Sequence, residues 1–256
     1  MKATILLCFC ALVALTNVTL NCSKTLGTPL NTKIVGGWDA EPGQFKYIVS
    51  LRTDYNNYHF CGATIITPRS LVTAAHCKII DVEYIVAIIG TTRLDDDNAR
   101  RIPVKEFITH PDYNPSGIIN DIAVVILTED IEFNDMVQPL KLASRKVQDN
   151  ERLTSSGWGY TSYPGQAPNN LQWMNQNVVN AEECHEMAPG ETITGKICVL
   201  EMEGHGMCSG DSGGPLVDYY QELVGVTSSA FLCATGKPDF FTDVFYFKTW
   251  IEDHIQ

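Results

Sequence analysis

The sequence predicts an all-β protein, a sandwich or a barrel, and three observations carry that expectation. Short apolar runs recur between turn residues: "YIVSL" from Tyr47 to Leu51, "YIVAIIG" from Tyr84 to Gly90, "IAVVIL" from Ile122 to Leu127 and "ELVGV" from Glu222 to Val226. They are rich in Val, Ile and Tyr, whose branched or aromatic side chains suit a pleated, half-buried surface. Gly, Pro, Asn or Asp bounds them, and no internal repeat or low-complexity linker interrupts the series. The C-terminus departs from this pattern. There Val244, Phe247, Trp250, Ile251 and Ile255 recur at helical spacing, with Thr242 or Asp243 placed to cap the start.

Taken from the beginning, Lys2 precedes "ILLCFCALVAL" (Ile5 to Leu15), an uncharged run too short to span a bilayer comfortably, and small residues follow it. This is the pattern of a secretory signal, expected to span residues 1–16 with its cut between 16 and 20. Residues 17–33 are polar, carry Gly27 and Pro29, and read as a leader. Lys33 then stands before Ile34-Val35-Gly36-Gly37, an exposed base ahead of a small apolar strand and so a site for a trypsin-like cut. The working domain is expected to cover 34–256. No later run is apolar enough for a transmembrane helix, so a soluble, extracellular, monomeric product with no membrane partner is the expectation.

The chain of 256 residues is 45% hydrophobic and 19% charged, ample for a buried core. Its formal charge is -12; with the three lysines of residues 1–33 removed, 15 basic residues face 30 acidic ones, a net of -15. That balance disfavours nucleic acid and anionic membranes as partners. The acidic cluster Asp95-Asp96-Asp97 lacks the spaced ligands of a calcium loop, and no CxxC or HxxxH spacing suggests zinc, so no metal or cofactor is expected. Of nine cysteines, Cys8 and Cys10 fall in the signal and Cys22 in the leader. Cys61, Cys77, Cys184, Cys198, Cys208 and Cys233 remain, a set suited to three bridges in an oxidising compartment. Six cysteines allow 15 pairings, and spacing does not choose among them.

The stretch "HGMCSGDSGGPLV" (His205 to Val217) crowds glycine and serine around one hydroxyl, that of Ser212. A serine hydroxyl is a poor nucleophile at neutral pH unless a base takes its proton and donors stabilise the oxyanion that follows. "TAAHC" supplies a base, His76, beside a cysteine that can pin the turn. "NDIAVVIL" supplies a carboxylate, Asp121, at the mouth of an apolar strand where an unpaired charge is costly. Each is weak evidence alone; together, in the order His, Asp, Ser with "GDSGGP" around the serine, they point to nucleophilic hydrolysis.

With these residues in place the chain resembles the chymotrypsin/trypsin family of serine endopeptidases from Ile34 to Gln256. The resemblance implies two six-stranded antiparallel β-barrels with the site between them and a C-terminal helix. It implies the roles for which that family is the type case: His76 as general base, Asp121 fixing its tautomer, Ser212 as nucleophile, and the amides of Gly210 and Ser212 as the oxyanion hole. "GWG" (Gly157 to Gly159) resembles the start of the second barrel. The implied bridges are Cys61–Cys77, Cys184–Cys198 and Cys208–Cys233. Cutting after Lys33 is implied to free an α-amino group on Ile34 that pairs with Asp211 and orders the Gly210–Ser212 amides.

The resemblance also frames the substrate pocket. Relatives that cut after Lys or Arg hold an Asp where this chain has Gly206, whereas Asp239 stands where many relatives have glycine. This pairing resembles arthropod chymotrypsin-like enzymes and serine collagenases. Met207 is expected to add apolar surface, and "TSSA" (Thr227 to Ala230), with Ser228, Ser229 and Ala230, aligns with the segment that pairs with substrate backbone. Ser229 replaces a usual aromatic ring and Ala230 a usual glycine. Large apolar or aromatic residues before the cut are expected, with some tolerance for basic ones; the competing arrangement turns Asp239 away into a backbone network. Protein or peptide substrates, protein protease inhibitors and an activating trypsin-like protease are the expected partners, and digestive or other extracellular proteolysis the expected setting. Two other readings are a catalytically silent homologue that binds proteins, and a venom or salivary protease with one host target.

Overall fold

In the computed structural model, which describes residues 35–231 and 233–256, the apolar runs become strands buried along most of their length. β1 (Trp38–Asp39) leads into six strands, β2 (Ile48–Thr53), β3 (His59–Ile65), β4 (Ser70–Thr73), β5 (Ile85–Ile89), β6 (Arg100–Thr109) and β7 (Ala123–Leu127). They close into an antiparallel barrel in the order β2-β3-β4-β7-β6-β5. Closure removes the free edges that a short, hydrophobic sheet would otherwise expose. Strands β4 and β7, paired with each other, are fully buried at every residue, on the face that fills the barrel and on the outer face alike.

The second half begins with β8 (Lys141–Leu142) and continues through β9 (Arg152–Gly157), β10 (Gln172–Val178), β11 (Lys196–Leu200), β12 (Pro215–Val217), β13 (Glu222–Ala230) and β14 (Asp239–Asp243). The path β10-β11-β14-β13-β12-β9 is closed by antiparallel pairing of β9 with β10, giving a second six-stranded barrel, with β1 and β8 attached outside it. Strand β10, "QWMNQNV", buries alternate residues, and two of those inward positions are glutamines, Gln172 and Gln176. Polar groups at inward positions demand partners, and Gln176 finds them beside the site described below.

The implied disulfides form: Cys61–Cys77, Cys184–Cys198 and Cys208–Cys233. The C-terminal helix is present, but short, as α2 (Lys248–Glu252), preceded by the shorter-range turn of 244–247. Val244, Phe247 and Ile251 are buried as their spacing required. The expected cap is corrected. The residue at the N-cap is Phe247, with no side-chain bond. The Asp243 carboxylate instead accepts the amides of Phe245 and Tyr246, one turn earlier, and the Thr242 hydroxyl is drawn across to the Asp121 carbonyl. An earlier helix, α1 (Ala181–Met187), went unpredicted. Its signal is Asn180, whose side chain accepts the Glu183 amide at 2.9 Å, a local cap that "NAEE" spells out.

Candidate active site

The three side chains singled out for chemistry lie just outside the strands, His76 and Ser212 half-buried and Asp121 buried. His76 lies in a single 3-10 turn, Ala75–Cys77, straight after β4. The flanking Ala75 and Cys77 are buried, and the bridge to Cys61 ties this turn to β3. Asp121 precedes β7 and is 1% exposed. Ser212 lies in the loop between β11 and β12 and is half-buried.

The Asp121 carboxylate is saturated by three donors. Oδ1 accepts the His76 amide at 2.9 Å, and Oδ2 accepts His76 Nδ1 at 2.7 Å and the Ser228 hydroxyl at 2.6 Å. The carboxylate is an acceptor, so Nδ1 carries the imidazole proton and Nε2 is left with its lone pair. Sequence reading placed Ser228 among substrate-contacting residues. Its side chain is buried against Asp121, at the point where the β13–β14 register shifts between Thr227 and Ser229, while its backbone stays on the expected segment.

The serine loop is held to the first barrel through Gly62. The Gly62 amide donates to the Ser212 carbonyl at 2.7 Å, and the Gly62 carbonyl accepts the Thr73 hydroxyl at 2.8 Å. Gly213, at φ +75°, passes so close that an added Cβ would lie 2.1 Å from Thr73 Oγ1 and 3.1 Å from Cys77 Sγ. Ser212 is thus set down beside the disulfide that also anchors His76. Gly210 is at φ +101°, a conformation glycine alone adopts readily. In that loop the amides of Asp211, Gly213 and Gly214 donate to Cys208, Thr227 and Asp211 carbonyls. Among the described residues, those of Gly210 and Ser212 donate to none.

Asp211 is fully buried, and its partners among the described residues are the amides of Gly159 at 2.7 Å and Cys208 at 2.9 Å. Burial pushes its carboxyl up to about 7, against the pull of those two bonds. Lys33 and Ile34 lie outside the described residues. Val35 is within them, and its carbonyl accepts the Gly206 amide at 3.1 Å.

Around Gly206 the structure brings together the pocket residues. Asp239 is 3% exposed, and its Oδ2 accepts both Gln176 Nε2 at 2.7 Å and the Met207 amide at 2.8 Å, while Oδ1 takes neither bond. Burial raises its carboxyl to about 7, and the nearby Asp211 charge adds to the rise. A Cβ on residue 206 would come within 3.1 Å of Asp239 Oδ2, so the glycine makes the space that the carboxylate occupies. Asp239 thus lies beside Gly206 and is tied into a network with Gln176 and the Met207 amide. Met207 contributes little open surface, being 1% exposed within the main core. Ser229 and Ala230 form the exposed end of β13.

Two contributors went unnoticed in the sequence. Gln176 orients Asp239 and accepts the Ser155 hydroxyl at 3.0 Å; its inward register on β10 was the available signal. His59 reaches from β3 to the Gly210 carbonyl at 2.9 Å, a contact spanning 151 residues of sequence that no local pattern announces. Among the described residues the one cluster of metal-ligand types is Cys61, His76 and Cys77, and its two sulfurs are bonded to each other.

Comparison with known proteins converges on one family. The family model described as Trypsin matches residues 34–251. Chymotrypsin-2 of Vespa crabro is 36% identical over 86% of this chain and 98% of its own length. Trypsin of Phaedon cochleariae is 34% identical over 88% of the chain and 90% of its own length. Brachyurin of Leptuca pugilator is 32% identical, covering 86% and 97%. Among solved structures, neuropsin, a serine protease expressed in mouse brain, superimposes with a TM-score of 0.80 at 29% identity, covering 86% of this chain and 99% of its own.

Proposed function

The chain belongs to the trypsin family of serine proteases, and from that membership we propose a secreted, zymogen-activated endopeptidase that works through His76, Asp121 and Ser212. The observation that carries this reading is the His76–Asp121 contact of 2.7 Å, which leaves the Nε2 lone pair free, together with a serine loop whose Gly210 and Ser212 amides donate to no acceptor among the described residues. Ser212 Oγ attacks the scissile carbonyl while His76 Nε2 takes its proton. The negative charge then moves to the carbonyl oxygen, where the Gly210 and Ser212 amides donate to it. His76 returns the proton to the departing amine, leaving an acyl-enzyme, and water reverses the sequence to release the acid and restore Ser212. Asp121 holds the ring in the competent tautomer throughout, and Ser228 holds Asp121.

Activation follows from the burial of Asp211. A carboxyl that desolvation raises to about 7 is uncomfortable as an anion, and the α-ammonium created by cutting after Lys33 is a partner that relieves it. Pairing with Ile34 then fixes the adjoining amides.

The pocket reading is of large apolar or aromatic residues before the cut, with basic residues accepted where they reach Asp239 Oδ1. Ser229 offers no ring to the substrate, and the Ala230 methyl narrows the entrance. The six bridged cysteines support an extracellular setting.

The test is covalent. Material cut after Lys33 is treated with a phosphonylating reagent and examined by mass spectrometry. The expected result is one adduct on Ser212, absent from Ser212→Ala and strongly reduced in the uncleaved Lys33→Gln precursor. An unlabelled Ser212 in folded, cleaved protein overturns the mechanism.

A further inference from the structure

Gln176 is an amide at a position that a strand ordinarily gives to an apolar side chain. It is fully enclosed, and its inward neighbours on β10 are Met174 and Val178. Both polar ends of the amide are engaged, and the way they are engaged fixes its orientation. Oε1 accepts the Ser155 hydroxyl from β9 at 3.0 Å, and Nε2 donates to Asp239 Oδ2 at 2.7 Å. Turning the amide over would set its oxygen against the carboxylate and leave the Ser155 hydroxyl, itself fully buried, facing an N–H.

The bond to Asp239 favours one charge state of that residue. Oδ2 carries two bonds, from Gln176 and from the Met207 amide, and each is an N–H donor that stabilises the anion over the acid. The Met207 donor is backbone, available whatever residue stands there; the Gln176 donor exists only because of the side chain. Against these bonds work burial, the larger effect, and the charge of Asp211. The residues paired with Asp239 across the sheet, Val199 on β11 and Ala230 on β13, carry no charge, and neither do Gly206 and Met207 beside it. The opposing influences leave the carboxyl at about 7, where the loss of one donor moves its charge state most. Oδ1 accepts no hydrogen bond, yet it is not enclosed among the described residues and keeps some contact with solvent.

The charge state matters because the two classes of side chain expected before the cut respond to it differently. A basic side chain that leaves water to meet a neutral acid gives up its hydration without gaining an ion pair, whereas an anion compensates it. An aromatic side chain is indifferent to the change.

We propose that Gln176 is a positioning residue that determines specificity: by donating to Oδ2 it holds Asp239 in place as an anion, and so decides whether a basic residue before the cut is accepted beside the apolar ones. The inference rests on the endopeptidase and pocket readings above. Gln176 touches no substrate and acts through Asp239.

The experiment uses enzyme cleaved after Lys33 and paired peptides that differ only by Arg or Phe before the scissile bond. The ratio of their kcat/KM values is read between pH 5.5 and 9.5, and in wild type it climbs through about pH 7. Gln176→Met combined with Ser155→Ala removes the donor and its supporting hydroxyl together, keeps the length of the long side chain and leaves neither partner as a buried orphan. In that variant the half-rise should move up by about one pH unit, the size of one hydrogen bond to a charged group, so that the ratio at pH 7 falls about fivefold. The Phe rate should change by no more than about twofold. Gln176→Glu keeps the shape and the Ser155 contact but sets a second carboxyl against Asp239; it too should move the half-rise upward, and it answers the question if the apolar pair fails to fold.

A glutamine that only supported the fold would lower the Tm and both rates together and leave the half-rise in place. That result in folded variants overturns the proposal and leaves the pocket reading standing. A ratio flat with pH in wild type overturns the proposal and the part given to Asp239, with the endopeptidase reading intact. Calorimetric binding of benzylammonium against benzyl alcohol to cleaved Ser212→Ala, between pH 6 and 8, reads the same preference without turnover. It should climb with pH, and climb at higher pH once Gln176 is replaced. An enzyme that resists Ser212 labelling therefore fails the endopeptidase reading alone, and the calorimetric ratio still decides the role of Gln176.

Discussion

His59 donates its Nε2 proton to the carbonyl of Gly210 across 2.9 Å, joining the first barrel to the loop that carries Ser212. The direction of that bond is dictated upstream. Arg52 Nε donates to the Ser50 hydroxyl at 2.8 Å, so that hydroxyl turns its own proton to His59 Nδ1, also at 2.8 Å. With Nδ1 accepting, the remaining proton is on Nε2. Burial lowers the His59 imidazole to about 4, so the ring is neutral through the physiological range, in keeping with that tautomer.

The clamp makes a first prediction. His59→Ala frees the Gly210 carbonyl and loosens the amides of the same loop without touching His76, Asp121 or Ser212. Steady-state kinetics should show kcat reduced by about tenfold, less than the loss of an oxyanion donor itself, with KM nearly unchanged. An equal fall in phosphonylation rate locates the effect in the chemical step. Unaltered kcat would mean that the loop holds its shape without His59.

Selectivity should depend on pH through Asp239. Its carboxyl, raised to about 7 by burial, is largely neutral at pH 6 and largely ionised at pH 8. An anion rewards a basic side chain and a neutral acid does not. The ratio of kcat/KM for a peptide cut after Arg to that for one cut after Phe should therefore climb across this interval. Titration of groups shared by both substrates divides out of the ratio. In Asp239→Asn the ratio should stay flat.

Asp211 makes the uncleaved chain sensitive to alkali. Its folded carboxyl is at about 7 against 3.8 as the ordinary value, so the fold prefers it protonated. The stabilisation that follows is complete below about pH 4 and is lost as pH rises through about 7. On the proposed activation, pairing of the anion with an α-ammonium on Ile34 would reverse the preference. Calorimetric scans should show the Tm of Lys33→Gln precursor falling relative to that of cleaved enzyme between pH 5 and 8. Parallel curves would separate Ile34 from Asp211.

Gly213→Ala should be among the most damaging small substitutions in the fold. The new methyl would lie 2.1 Å from Thr73 Oγ1 and 2.5 Å from the Gly62 carbonyl, on a residue held at φ +75°. Strained backbone and overpacking together cost about 3 kcal/mol or more, readable as a lower denaturation midpoint. Because Gly62 holds the Ser212 carbonyl, activity should fall faster than stability.

Much of this molecule was visible in its residues. Val and Ile runs between turn residues announced strands, and "GDSGGP", "TAAHC" and "NDIAVVIL" announced the chemistry, because those signals are local: a backbone conformation, a turn, a charge at the mouth of an apolar strand. The helix at 181–187 was equally legible from Asn180 and was overlooked. The short α2 was misjudged at its cap because Thr242 and Asp243 had competing partners that only the folded chain supplies.

The sequence by itself determined the class of strand-rich fold, the family and the three side chains of the proposed hydrolysis. The tertiary structure alone decided what supports the site: Ser228 behind Asp121, Gln176 behind Asp239 and His59 behind Gly210. The physical reason is distance along the chain. Side-chain periodicity and turn chemistry act over a few neighbouring residues, whereas these supports join groups from 63 to 151 residues apart, brought together only when two barrels close and pack.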